Sequence, residues 1–267
     1  FLLAEDDDKI FVNDFSEALI QEEFILNNAP AQNPREKFLM LGWNWRAPRI
    51  LKELDHYAAP GSELLIVCNQ TQARQDRTCD SEGLQNLSVT IQHNDTTSRS
   101  VLNALEIPSY DHVILLCYSD DLPIQVADAH NLITLLHLRD IAAFDDSPFS
   151  ITSEMLDIRN RNLADVTRAD DFIVSDKMIS LMFSQIAEQR SLSDVFMDIF
   201  DPQGSEIYLK PVGDYVQPGE PVNFYTVVES ARRKGEIAIG YRRNEDRQNA
   251  DKMYGVVLNP MKTTQVR

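Results

Sequence analysis

Lys37-Phe38-Leu39-Met40-Leu41-Gly42-Trp43-Asn44-Trp45-Arg46-Ala47 is an apolar run of strand length that stops at a glycine and passes into a helical period. Ile50, Leu51, Leu54, Tyr57 and Ala58 share one helical face, and Leu64-Leu65-Ile66-Val67 follows as a second apolar run. Strand, helix and strand in that order make a βαβ unit. The alternation continues outward through Leu87 to Ile91 (strand), Val101 to Leu105 (helix) and His112 to Cys117 (strand). A long helix carries Val126, Ala129, Leu132, Ile133, Leu136 and Ile141 as its periodic apolar set, before strand-like Pro148 to Thr152 and Asp171 to Val174. Apolar strands separated by helices indicate a parallel sheet covered on both faces. The predicted fold is α/β, a Rossmann-like doubly wound parallel sheet with a small C-terminal α+β lobe.

The flanks read differently. Residues 10 to 36 are irregular and end in Asn28-Ala29-Pro30-Ala31-Gln32-Asn33-Pro34, which reads as a linker. Beyond a helical Met178 to Ala187, Ser191 is placed to cap a short amphipathic helix. Strands are expected at Glu206 to Lys210, Glu236 to Tyr241 and Gly255 to Leu258, around a helix from about Asn223 to Ala231. The expected divisions are 1–36, 37–190 and 191–267.

Of the 267 residues, 42 are acidic and 25 basic, a formal net charge of −17 that repels phosphate backbones and excludes nucleic acid as a natural partner. No run approaches the roughly 18 to 20 apolar residues of a membrane-spanning helix. Phe1-Leu2-Leu3-Ala4 leads into Glu5-Asp6-Asp7-Asp8 without the sections of a signal peptide, and the chain reads as cut from something longer. Three cysteines, Cys68, Cys79 and Cys117, form no CxxC pair, which points to a reducing compartment and no structural zinc.

Gly42-Trp43-Asn44-Trp45-Arg46-Ala47 stands where a dinucleotide-binding fold carries G-x-G-x-x-G. The first glycine serves the tight turn, the second lets the backbone meet a pyrophosphate, and the third lets the helix approach the sheet. Here the second is Asn44 and the third Ala47, while Cys68-Asn69 replaces the ribose-binding acid after the second strand. Gly42, Trp43, Asn44, Ala47 and Asn69 are therefore a degenerate cofactor set. NAD is not an expected ligand on this reading, and Asn44→Gly is expected to improve its binding if the pocket is otherwise intact. Asp120-Asp121 follows the fourth strand and Glu154 the fifth, so these three carboxylates are the candidate site for a hard cation, calcium above magnesium. Asp6-Asp7-Asp8, Asp145-Asp146 and Asp170-Asp171 read as solvated surface. No catalytic motif is present, so no enzymatic activity is expected.

Several stretches together resemble one family. Leu39-Met40-Leu41-Gly42-Trp43-Asn44 with Ala47-Pro48-Arg49-Ile50, the helix end Ala59-Pro60-Gly61-Ser62-Glu63-Leu64, Leu135 to Ile141 and Ser153 to Leu163 are similar to the Castor/Pollux ion channels. So are Asp170 to Ser180, Glu236 to Arg242 and Leu258-Asn259-Pro260. The resemblance implies a TrkA-N-like RCK domain of a gating ring, on the cytosolic face of a cation channel for potassium or calcium. It implies pairing with further copies, a preceding RCK-like unit whose end would be residues 1–36, and a transmembrane pore. The alternative is an NAD(P)-binding oxidoreductase or a free-standing nucleotide sensor on the same fold.

Overall fold

A computed structural model describes residues 20–27, 34–69, 83–143, 149–160, 171–201, 203–247 and 249–266, with the backbone alone for 158, 171–177 and 250. The chain divides into two compact units: residues 33–207, and residues 1–32 together with 208–267.

The first unit is built on six parallel strands: β1 (Lys37–Leu41), β2 (Ser62–Cys68), β3 (Leu87–His93), β4 (His112–Leu115), β5 (Ser150–Met155) and β6 (Asp171–Val174). Their order is β3-β2-β1-β4-β5-β6, the doubly wound arrangement expected, and the direction of winding reverses between β1 and β4. Its helices are α1 (Ala47–Tyr57), α2 (Arg99–Ala104), α3 (Ile124–Ala142), α4 (Ser175–Glu188) and α5 (Leu192–Phe200). Side chains alternate across β1 and thereby make two cores. Phe38 and Met40 pack with Leu64, Ile66, Ala47 and Leu51 on the α1 side. Leu39 and Leu41 pack with Val113, Leu115, Leu102 and Leu135 on the side of α2 and α3.

Helix α3 does not face the way its apolar period suggests. Its buried residues are Ala127, Asp128, Asn131, Thr134, Leu135 and Leu138, whereas Val126, Ile133 and Leu136 are 48%, 46% and 54% exposed and Ala129 is exposed beside them. Of the expected set, Leu132 and Ile141 pack against the core. The reason is polar: Asp128 accepts the backbone N–H groups of Leu156 (2.8 Å) and Asp157 (3.0 Å), and Asn131 donates to the Glu154 carbonyl (3.0 Å). These bonds give the sheet a claim on the mixed face and leave the apolar stripe outside.

Asp55, near the end of α1, fixes the entry to β3. Its buried carboxylate accepts backbone N–H bonds from Gln85 (2.9 Å), Asn86 (2.8 Å) and Leu87 (2.9 Å). Burial pushes this carboxyl up, but the three backbone donors outweigh it and hold it below its ordinary value. A depressed carboxyl contributes stability that is complete above the unfolded value of about 3.9 and fades as pH falls through the lower folded one. Asp55→Asn is therefore expected to lose stability at neutral pH and to approach the parent protein below about pH 4. Denaturant unfolding at a series of pH values tests this; two parallel stability curves would count against it.

The second unit holds β7 (Val222–Asn223), α6 (Phe224–Arg233), β8 (Gly240–Arg242), β9 (Val256–Leu258) and β10 (Gln265–Val266). β7 pairs with β10, and β8 with β9, both antiparallel. Asn223 caps α6 by accepting the Thr226 N–H (2.9 Å). Residues 20–27 belong to this unit: Gln21 donates its N–H to Thr226 Oγ1 (3.0 Å) and accepts the Asn223 N–H (2.8 Å). Glu22 pairs with Arg233, and Ile25 bridges Val216. The division thus differs from the expected boundaries, because α5 lies in the sheet unit and part of the expected linker is hydrogen-bonded into the lobe. Two local expectations also change. Ser191 makes no side-chain cap on α5, and residues 206–210 join no ladder.

Candidate functional site at the carboxyl edge of the sheet

The turn after β1 opens at the point where winding reverses, the place where open α/β sheets bind ligands. Gly42 sits there at φ +95°, and a Cβ would press into the Leu116 carbonyl oxygen. The turn therefore needs glycine for handedness and for close approach to β4. Trp43 and Ala47 are buried in the α1-side core, so both are packing residues. Trp45 is 64% exposed, with the Arg46 guanidinium 4.6 Å from its ring centroid.

Asn44 does not project into an open phosphate site. It is 1% exposed, and its amide nitrogen donates to the Cys117 carbonyl (2.8 Å) and to Glu154 Oε2 (2.8 Å). Its oxygen accepts the Arg46 N–H (3.0 Å). Glu154 is 7% exposed and accepts two more bonds, from the Cys117 N–H (2.9 Å) and from Arg46 Nη1 (2.9 Å). One carboxylate thereby joins the β1–α1 turn to the ends of β4 and β5. This alters the expectation for Asn44→Gly: the change would strip a donor from a buried carboxylate.

Asp120 is exposed and accepts the Trp45 N–H (2.7 Å) just ahead of α1, so an acid of this chain satisfies a backbone donor of the glycine turn. Asp121 is exposed, and Asn69, also exposed, gives its N–H to Tyr118 Oη (3.2 Å). The three acids expected to converge on a cation are thus drawn to the same turn only in part. Asp120 and Glu154 both meet it, each facing hydrogen-bond donors, and a cation at Glu154 would have to displace Arg46. Among the described residues no group of three or more His, Cys, Asp or Glu is arranged to hold a metal. Asp6-Asp7-Asp8, Asp145-Asp146, Asp170 and Cys79 lie outside the described residues, as does the side chain of Asp171.

Arg46, Asp128 and Asn131 complete the arrangement, and the sequence reading missed them. The available signal was three polar residues, Asp128, Asn131 and Thr134, at spacing three within an apolar helix. Cys117 sits among them, with Asn131 Nδ2 at 3.1 Å from its sulfur. Burial pushes its thiol far up, and the Glu154 and Asp128 carboxylates push the same way, so it stays protonated and unreactive. The arrangement ties strands together; no nucleophile and base are paired in it.

Among known proteins, the rice protein named "Probable ion channel CASTOR" (Oryza sativa subsp. japonica) is 28% identical over 279 residues, covering 90% of this chain and 31% of that protein. "Ion channel POLLUX" of Lotus japonicus is 28% identical over 275 residues, covering 90% of this chain and 30% of its own length. The sequence relatives are Castor and Pollux ion channels. The chain spans about a third of the length of these relatives. No protein-family model matches it. In structure, the human SLO3 gating ring superposes with a TM-score of 0.54 at 13% identity, over 87% of this chain and 42% of that one. The fold is thus shared with a gating ring. No helix among the described residues is long and apolar enough to cross a membrane.

Proposed function

We propose that this chain is a non-enzymatic gating-ring module of a Castor/Pollux-like cation channel, acting at the cytosolic face on a pore carried elsewhere in the channel. The observation that carries this is α3, whose mixed polar and apolar face turns inward while Val126, Ile133 and Leu136 stay exposed as an apolar stripe. An apolar stripe left outside marks a contact surface, and here the cover that Val126, Ala129, Ile133 and Leu136 lack is supplied by another copy. Channel relatives along most of the chain support the same reading.

A module of this kind works through a difference. A ligand, or assembly itself, favours one arrangement of paired modules only by the free energy with which it prefers that arrangement. The closed turn at Asn44 and Glu154 favours a module that needs no nicotinamide dinucleotide. Calcium, in this reading, acts at Asp120 and Asp121 and leaves Glu154 with Arg46.

Ile133→Glu combined with Leu136→Glu is expected to convert the assembled chain to monomers while its unfolding midpoint stays close to the parent value, since both side chains face outward. Sedimentation velocity measures this, and unchanged assembly would remove the main support. In planar bilayers, the same double substitution in the parent channel should abolish ligand-dependent gating while leaving a conducting pore.

A further inference from the structure

Strand β3 forms one edge of the sheet, and that edge is open. Among the described residues its ladder partner is β2 alone, along the whole of Leu87–His93. Backbone groups of successive residues face opposite edges of a strand. Those of Asn86 and Asn94 turn toward β2, since the Asn86 carbonyl accepts the Gly61 N–H and the Asn94 N–H is donated to the Cys68 carbonyl. The N–H and C=O groups of Val89, Ile91 and His93 therefore face outward. Side chains give no cover either: every residue from Thr90 to His93 is exposed, so both faces of the strand are bare there.

Edge strands are normally guarded by a charge, a proline or a bulge, which stops a second strand from adding. Here all three guards are missing. From Leu84 to Asn94 the chain carries no Asp, Glu, Lys, Arg or Pro, although 25% of the whole chain is charged, and β3 follows β2 residue for residue without a bulge. What such an edge accepts is set by its own residues. Outward groups must meet outward groups, so two antiparallel β3 strands set odd-numbered residues against odd-numbered ones, and full overlap of the 7 residues puts a two-fold axis at Thr90. In that register Val89 faces Ile91 of the other copy, Thr90 faces its own equivalent, and Ser88 faces Gln92. These are β-branched, hydroxyl–hydroxyl and hydroxyl–amide pairs, of the kind that stabilise neighbouring strands. Like charges do not meet, because the first acid beyond the strand, Asp95, falls opposite Gln85. In a chain of net −17 this neutral edge lets two copies approach without repulsion.

We propose that β3 pairs with β3 of a second copy of this chain, antiparallel about a two-fold axis at Thr90, and joins two six-stranded sheets into one. The contact is isologous, the same surface on both partners. It stands on the strand itself and not on the gating-ring reading. One strand pair buries far less than the roughly 1,600 Å² of a stable interface, so it forms in concentrated solution and leaves the α3 double variant monomeric when dilute.

Cross-linking of the full chain in concentrated solution tests the register, with single cysteines introduced in a Cys79→Ser background, since Cys68 and Cys117 are buried. Residues that face each other between the ladder bonds of an antiparallel pair lie about 4.5 Å apart at Cα, within reach of a disulfide. With diamide as oxidant, Thr90→Cys should give a covalent dimer. Ser88→Cys should not, because the two copies of residue 88 lie on opposite sides of the axis. Charge tests the pairing itself. In the α3 double variant, Thr90→Lys and Thr90→Glu should each weaken dimerisation by roughly fivefold or more, since like charges then lie directly opposite, and an equimolar mixture of the two should restore it. Thr90 is exposed, so neither change disturbs the core. No cross-link at residue 90, equal cross-linking at 88 and 90, or a mixture that associates no better than either variant alone overturns the proposal. A cross-link at residue 90 alone, in a chain whose assembly survives the α3 substitutions, sinks the α3 contact and upholds this one.

Discussion

Gly42→Ala should be among the most damaging single substitutions in this protein, lowering stability by roughly 2 to 5 kcal/mol. Two costs combine at this position. The backbone is left-handed at φ +95°, which costs a residue with a Cβ about 1 to 2 kcal/mol. The new carbon also presses into the Leu116 carbonyl oxygen, and overpacking of this kind costs about 1 to 3 kcal/mol. Neither neighbour can yield cheaply. Gly42 gives its N–H to Val67 (2.9 Å) and Leu116 gives its own to Leu41 (2.9 Å), so a shift of either strains the central ladder. Set against the usual 5 to 15 kcal/mol of a folded domain, the variant should unfold about 5 to 20 °C earlier or fail to accumulate. Gly83→Ala supplies the control, since Gly83 is also left-handed but has nothing within 4 Å of the added carbon among the described residues. Equal losses for the two variants would show that handedness alone matters and that contact with β4 does not.

Glu154→Ala is expected to cost about 3 kcal/mol, at the lower end of what breaking a buried ion pair costs. It strands three donors together: the Cys117 N–H, one hydrogen of the Asn44 amide, and Arg46 Nη1. The discount from a fully buried pair reflects Arg46, whose side chain is 29% exposed and regains water. Glu154→Gln should fall between, since its remaining oxygen serves one donor while its own N–H₂ meets others. Asn44→Gly breaks the same network from the turn side and is expected to cost about 2 kcal/mol, because a buried acceptor loses its donor. It should gain no NADH binding, since Glu154 and Arg46 still hold the turn closed. Chemical denaturation and NADH fluorescence titration measure both. A Glu154→Ala loss below about 0.5 kcal/mol, the range of neutral surface changes, would mean that the turn is held by packing alone.

Much of this was determined by the order of residues along the chain. Apolar runs of strand length alternating with helical periods identify the sheet, its parallel strands and its helices, because period and run length are local properties. Gly42 marked the tight turn and Asn44 the missing second glycine, again from neighbours in sequence. The tertiary structure alone decided which face of α3 turns inward and where the Asn44 side chain goes. An apolar stripe reports a period, but not whether a sheet or a second molecule lies against it. In α3 the inward face was chosen by Asp128 and Asn131 reaching backbone groups about β5. Asn44 bonds a carboxylate 110 residues away, and Arg46 the same carboxylate 108 residues away. Such partners meet only because β1, β4 and β5 lie side by side, and strand order is a property of the folded sheet that no local window of sequence contains.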